Sequence, residues 1–248
     1  MTASTTTSVK KVSRLAGARR FFRVFFSRGW VTKLCFAIIV AFVLCAIFAP
    51  VLTQYTPYQQ DLLNMLKGPS AEHLLGTDSL GRDTLTRLIY GARVSLVTGL
   101  LSSIWAAVVG STLGLIAGYF GGWLNSIIMR LTDAMFAIPP LIFTMVLSTM
   151  VSGSLLGVSV VIGVSIVPSY IRMVNGLVIS LRENDYITAA NLIGQKQGII
   201  MFRHLLPNCL ASLIVTFTMN VGSAIMLEST LSYLGVGIIP PTPAWGVM

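Results

Sequence analysis

The side chains able to do acid–base, nucleophilic or metal chemistry are few in this 248-residue chain, and they lie far apart. Asp78 and Asp83, in Gly76-Thr-Asp-Ser-Leu-Gly-Arg-Asp83, are close enough to suggest a metal loop, but an oxygen cage needs more ligands. They read better as starts of short helices. Asp favours an N-terminus, and Asp83 followed by Arg87 is the favourable i,i+4 order. His73 and His204 fall on opposite sides of the bilayer in the topology below, so they cannot share a metal. Cys35 and Cys45 stand roughly 15 Å apart at the helical rise, too far to bridge, and Cys209 has no sequence neighbour to pair with. Arg130 and Asp133, three residues apart, suit a mutual pair at a membrane interface. Glu228 stands in an apolar run, where snorkelling, capping and a substrate path compete and a structural role is favoured. No Gly-x-x-x-x-Gly-Lys-Ser/Thr loop occurs, so ATP is not hydrolysed here by that route, and nucleotide-driven work needs a partner chain. No cofactor or metal site emerges from the spacing.

The elements that position these residues follow from composition. The chain is 54% hydrophobic, 10% charged and formally +9, which excludes a water-soluble fold. Residues 1–33 hold eight basic and no acidic residues, and the remainder holds nine basic and eight acidic. A basic arm can mean nucleic-acid binding, but one running straight into a long apolar stretch is a cytoplasmic anchor under the positive-inside bias. The arm is too long, and the apolar run after it too extended, for a cleaved signal peptide. Within the arm, Phe21, Phe22, Phe25 and Phe26 share one helical face opposite Arg20 and Arg23, which predicts an amphipathic helix in the interfacial plane.

Charge-free stretches and turn signals give membrane spans at 34–52, 94–119, 126–150, 155–174 and 209–232. The breaks fall at Gly118-Tyr-Phe-Gly-Gly122 and Ser152-Gly-Ser154. With the N-terminus inside, thirteen basic residues lie inside and four outside. The division is then a 1–33 arm, a first membrane helix at 34–52, an extracytoplasmic loop at 53–93 and a helical core at 94–248. Ser102, Ala106, Gly110, Gly114 and Gly118 recur every fourth residue, a row that admits another backbone and reads as helix packing rather than a ligand path. Residues 175–208 face the cytoplasm. There Tyr186-Ile-Thr-Ala-Ala-Asn-Leu-Ile193 forms a helix-compatible run that Gly194 ends, and Leu206-Pro207 marks the turn into the next span. Such a helix suits insertion into another protein's groove, although an ordinary helix–loop–helix connection fits the same spacing.

Thr188-Ala189-Ala190, Gly194 and Leu206-Pro207 fall at the spacing of the cytoplasmic signature Glu-Ala-Ala, three residues, Gly, nine residues, Ile-x-Leu-Pro. The chain thus resembles the membrane-spanning subunits of bacterial ABC importers. Two departures are Thr188 for the acidic residue and His204 for Ile. Leu75-Gly-Thr-Asp-Ser-Leu-Gly-Arg-Asp83, Tyr90-Gly-Ala-Arg-Val-Ser95, Gly118-Tyr-Phe-Gly-Gly122, Ala137-Ile-Pro-Pro140 and Pro240-Pro-Thr-Pro-Ala-Trp-Gly246 are similar to the dipeptide/oligopeptide/nickel branch, closest to its C-type subunit.

That resemblance implies an all-α, polytopic membrane bundle of the type I ABC importer permease kind, with five helices present and an expected sixth missing after Met248. It implies a multi-pass subunit of the bacterial cytoplasmic membrane for peptides or nickel chelates, paired with a homologous permease and fed by an extracytoplasmic solute-binding protein. ATP and Mg would be bound by two partner ATPase subunits, with no cofactor in this chain. The helix carrying Tyr186, Thr188, Ala189 and Ala190, with Gly194, Leu206 and Pro207, would couple ATPase closure to alternating access. An ATP-independent channel, an ion-coupled carrier and a structural scaffold are the other classes the spans allow.

Overall fold

A computed structural model describes residues 29–151 and 153–248. Most of the basic arm, including the segment expected to form a Phe-rich interfacial helix, lies outside the described residues. Packing divides the chain into units Met1–Leu44 and Cys45–Met248, with the boundary inside helix α1 (Trp30–Leu52). In the first unit the described part of α1 is apolar and largely exposed, as Trp30, Ile38, Ile39 and Phe42 show. The rest of α1 begins the second unit and buries Ala46 and Ala49 there.

The second unit continues through α2 (Thr84–Phe120), α3 (Gly122–Ala137), α4 (Pro140–Thr149), α5 (Leu155–Arg182), α6 (Asp185–Leu192) and α7 (Leu206–Tyr233). Among the described residues, four helices are long and apolar enough to cross a membrane, or five when the bent pair α3–α4 counts as one span. This is the all-α membrane bundle expected from the sequence.

Local chemistry sets the boundaries. Asp83 caps α2, its carboxylate accepting from the Thr86 N–H at 2.7 Å, so the helix starts at Thr84 and not near residue 94. At the far end Gly121 supplies φ +66° between α2 and α3, where no β-carbon is tolerated cheaply. Ser154 caps α5 by accepting from the Gly157 N–H. That helix runs on to Arg182, beyond the predicted 174.

The span expected at 126–150 is not one straight helix. Its two halves, α3 and α4, meet at 91°. Pro139 and Pro140 cause the break. Neither can donate a backbone hydrogen bond, and a residue before proline is driven out of the helical region, which Ile138 obeys at φ −97°, ψ 126°.

Pro207 was expected to mark a turn into the membrane, and the structure differs. A single turn at Gln197–Ile199 and a π-helical stretch at Ile200–Leu205 run without interruption into α7. The Leu206 N–H reaches back to Met201 O, a five-residue loop that widens the helix just before the proline ring. Pro207 therefore sits in the first turn of α7, where its missing N–H costs least.

The core of the second unit lies where α5 meets α2 and α7. Tyr170, Val174 and Val178 of α5, Ala106 and Leu115 of α2, and Cys209 and Ala224 of α7 are all fully buried in it. The row Ser102, Ala106, Gly110, Gly114 and Gly118 is buried along α2. A β-carbon added at Gly110 would stand 2.5 Å from Tyr170 Cβ, at Gly114 2.7 Å from Ile171 O, and at Gly118 2.8 Å from Val178 Cβ. The glycines thus let two backbones approach closer than any larger residue would permit.

Candidate functional site

Residues 182–208 form the first element of the site. Helix α6 turns Ile187 and Ala190 inward, where they are buried, and leaves Tyr186, Thr188 and Ala189 exposed. The two alanines of the Thr188-Ala189-Ala190 run therefore lie on different faces. Ala190 packs within this chain, and Ala189 belongs to the exposed surface. Gly194 ends the helix at φ +73°. Its N–H donates to Asn191 O at 3.0 Å and the Gln195 N–H to Ala190 O at 3.1 Å, the pattern of a glycine-terminated helix. Leu192 and Ile193, about 80% exposed, form an apolar tip just before that glycine.

This tip is tethered on two sides. Tyr119, at the end of α2, donates its hydroxyl to Asn191 Oδ1 at 3.2 Å. Asn208, in the first turn of α7, reaches the Tyr186 hydroxyl at 3.4 Å. Arg182 donates to Gly118 O and Tyr119 O at 3.2 and 3.3 Å, closing the carbonyl end of α2. His204, one of the two residues that depart from the signature, contacts Gln195 Oε1 at 3.0 Å and so ties the loop after Gly194 to the π-helical stretch that leads into α7. Leu206 and Pro207 form the first turn of that helix. Between α2 and α6 lies a cleft of about 400 Å³ lined by Tyr119, Phe120, Arg182, Glu183, Ile187 and Asn191. Tyr119, Arg182 and Asn208 were missed from the sequence because their partners are remote along the chain.

A second element is the loop between α1 and α2. Asp78 does not begin a helix. It accepts from the Leu80 and Arg82 N–H groups, both at 2.9 Å, and from Arg82 Nε at 2.7 Å. The expected Asp83–Arg87 pair is also replaced. Arg87 faces Asp78 at 3.5 Å and donates to Pro57 O, while Asp83 contacts His73 Nδ1 at 2.9 Å. Capping explains the exchange, because the Asp83 carboxylate is turned back toward the Thr86 N–H. Burial pushes the carboxyl of Asp78 up, but the Arg82 and Leu80 hydrogen bonds outweigh it and hold its pKa below the usual carboxylate value. Asp83 is lowered in the same way, its burial outweighed by the bonds from Thr86 and His73.

Glu228 is fully buried and satisfied. It accepts from Ser95 Oγ of α2 and Ser232 Oγ of α7, each at 2.8 Å. The same hydroxyls receive the backbone of the following segment, Ile238 N at Ser232 Oγ and Trp245 N at Ser95 Oγ. One carboxylate thereby fixes the Pro240-Pro-Thr-Pro-Ala-Trp-Gly246 segment against two helices, which is the structural role favoured from the sequence. Asp133, in contrast, pairs with Arg172 of α5 at 2.5 Å and not with Arg130. Helix spacing brought Arg130 into consideration, but tertiary packing of α3 on α5 decides the partner.

Comparison with known proteins places this architecture. Residues 110–248 match the family described as binding-protein-dependent transport system inner membrane component. Residues 18–69 match the N-terminal membrane domain of oligopeptide transport permease C. The dipeptide transport system permease protein of Alkalihalophilus pseudofirmus is 44% identical over 85% of this chain and 69% of its own length. Its counterpart from Haemophilus influenzae is 40% identical over 90% of this chain and 77% of its own. A glutathione transport system permease protein of Pectobacterium atrosepticum is 39% identical over 77% of this chain and 63% of its own. Carrying both family segments on a bundle of apolar helices, the chain belongs to the inner-membrane permease subunits of binding-protein-dependent ABC importers, in the dipeptide and oligopeptide C-type branch.

Proposed function

We propose that this permease subunit carries short peptides or related small solutes inward, driven by ATP that partner subunits bind with Mg and hydrolyse. A homologous permease completes the pathway, a solute-binding protein delivers substrate outside, and two ATPase subunits dock inside. The N-terminus and the 182–208 segment are cytoplasmic in this reading, supported by the excess of basic residues on that side.

The carrying observation is the exposed tip of α6. Tyr186, Ala189, Leu192 and Ile193 offer an apolar and aromatic surface at the end of an otherwise polar connection. The tip is bonded to both α2 and α7 through Asn191 and Tyr186. A force applied there by a closing ATPase reaches two membrane helices directly. A two-state transition requires contacts that differ between its states, and these bonds are the ones such a difference would act through.

The test is Ala189→Trp and Gly194→Trp in the complete importer. Ala189 is exposed, and a β-carbon at Gly194 meets nothing within 4 Å, so neither replacement fills the core; Gly194 at φ +73° adds only local strain. ATP hydrolysis is expected to persist while substrate uptake falls at least tenfold. Normal uptake by both variants would remove the docking assignment. Ala190→Trp serves as the contrast, since its buried position makes it disturb folding first.

A further inference from the structure

Glu228 and the Arg172–Asp133 pair contrast in their surroundings. Glu228 is buried and its carboxylate is saturated by hydroxyls. Arg172 and Asp133 are joined at 2.5 Å, yet their side chains remain 52% and 60% exposed. Arg172 lies about 26 Å along α5 from Leu155 at the helical rise of 1.5 Å per residue. A typical hydrocarbon core is about 30 Å thick, so the pair sits at the inner end of the span and not beyond it.

The two faces of α5 differ here. The opposite face of α5 carries Tyr170, Val174 and Val178 into the core. On the pair's side, Ser169 stands one turn before Arg172 and accepts from Asn220 of α7 at 3.3 Å. One turn after it comes exposed Gly176, whose added β-carbon would meet no atom within 4 Å. The Arg172 guanidinium lies over the Phe136 ring, 4.4 Å from its centroid. An exposed stripe with two charges is costly against lipid and fits a water-filled path.

We propose that Arg172 and Asp133 form an exchangeable charge pair at the cytoplasmic end of the translocation path, binding the free α-carboxylate and α-ammonium of a short peptide. This rests on the peptide-importer reading above. A guanidinium presents two parallel N–H donors to a carboxylate, and Asp133 presents two acceptor oxygens to an ammonium. A zwitterionic peptide can part the pair while leaving every charge with a counterion. A peptide blocked at both ends offers no such exchange.

The test is water access and peptide protection in the complete importer. Gly176→Cys is introduced with Cys35, Cys45 and Cys209 replaced by serine, and a membrane-impermeant maleimide is applied from the cytoplasmic face. Labelling is expected. A free tripeptide added on that face should slow it at least fivefold, and the N-acetylated, C-amidated tripeptide should not. Protection should vanish in Arg172→Gln and Asp133→Asn, and Arg172→Lys, which keeps charge without the fork, should retain part of it. Absence of labelling would overturn the proposal by placing the stripe against lipid or the second permease. Equal protection by the blocked peptide, or full protection in Arg172→Gln, would overturn it as well. Binding-protein-dependent uptake by the unsubstituted importer, measured alongside, reports on the importer reading separately.

Discussion

Replacing Gly114 by alanine probes the seam between α2 and α5. The added β-carbon would stand 2.7 Å from Ile171 O and 2.9 Å from Val174 Cβ, whereas ordinary contact begins at 3.4 Å. Relief requires the backbones to part by roughly 0.5–0.7 Å, and a gap of that size forfeits about a quarter to a half of each dispersion contact along the seam. Overpacking of this kind costs about 1–3 kcal/mol. Gly222→Ala on α7 is the matched control, since its β-carbon would meet nothing within 4 Å. Any gain in helix propensity, about 1 kcal/mol, is common to both and cancels in the comparison. Thermal unfolding of the purified protein in detergent should show Gly114→Ala melting below Gly222→Ala, by about 2–4 °C per kcal/mol. Equal midpoints would refute the claim that the glycine row exists for close approach.

Glu228→Ala should free the 235–248 segment, because Ser95 and Ser232 lose their shared acceptor. The expected cost is about 1–3 kcal/mol, with new proteolytic cleavage after Leu234 and a milder effect for Glu228→Gln. Acid should loosen the loop between α1 and α2. The Asp78 and Asp83 pKa values are depressed in the folded state, so their contribution is complete above the unfolded-state value of about 3.9 and is lost as pH falls through the folded values. Hydrogen exchange of residues 77–87 at pH 6 and pH 3 should show the loss, and Asp78→Asn should flatten it.

Local signals carried much of the architecture. Apolar length gave the spans, the every-fourth-residue row gave the α2 face that meets α5, and Gly194 gave the end of α6. The kink between α3 and α4 was also written locally, in Ile138-Pro-Pro140, but the apolar run around it reads as continuous when hydropathy alone is followed. The Asp83 cap was legible, and the same cap explains why the expected Asp83–Arg87 pair is absent. What spacing could not reveal was the choice of partner at long range. Ser95 and Glu228 are 133 residues apart, Tyr119 and Asn191 72, and Asp133 and Arg172 39. Each of these pairs depends on how α2, α3, α5, α6 and α7 pack, and helix periodicity carries no record of that.

Uptake in proteoliposomes is the most direct measurement. The chain would be reconstituted with its second permease, its ATPase subunits and its solute-binding protein, and labelled peptide accumulation followed with and without ATP. Accumulation against a gradient that requires ATP, both ATPase subunits and the binding protein is the expected result. Equilibration of peptide by this chain without the ATPases, or accumulation driven by an ion gradient in their absence, would contradict it.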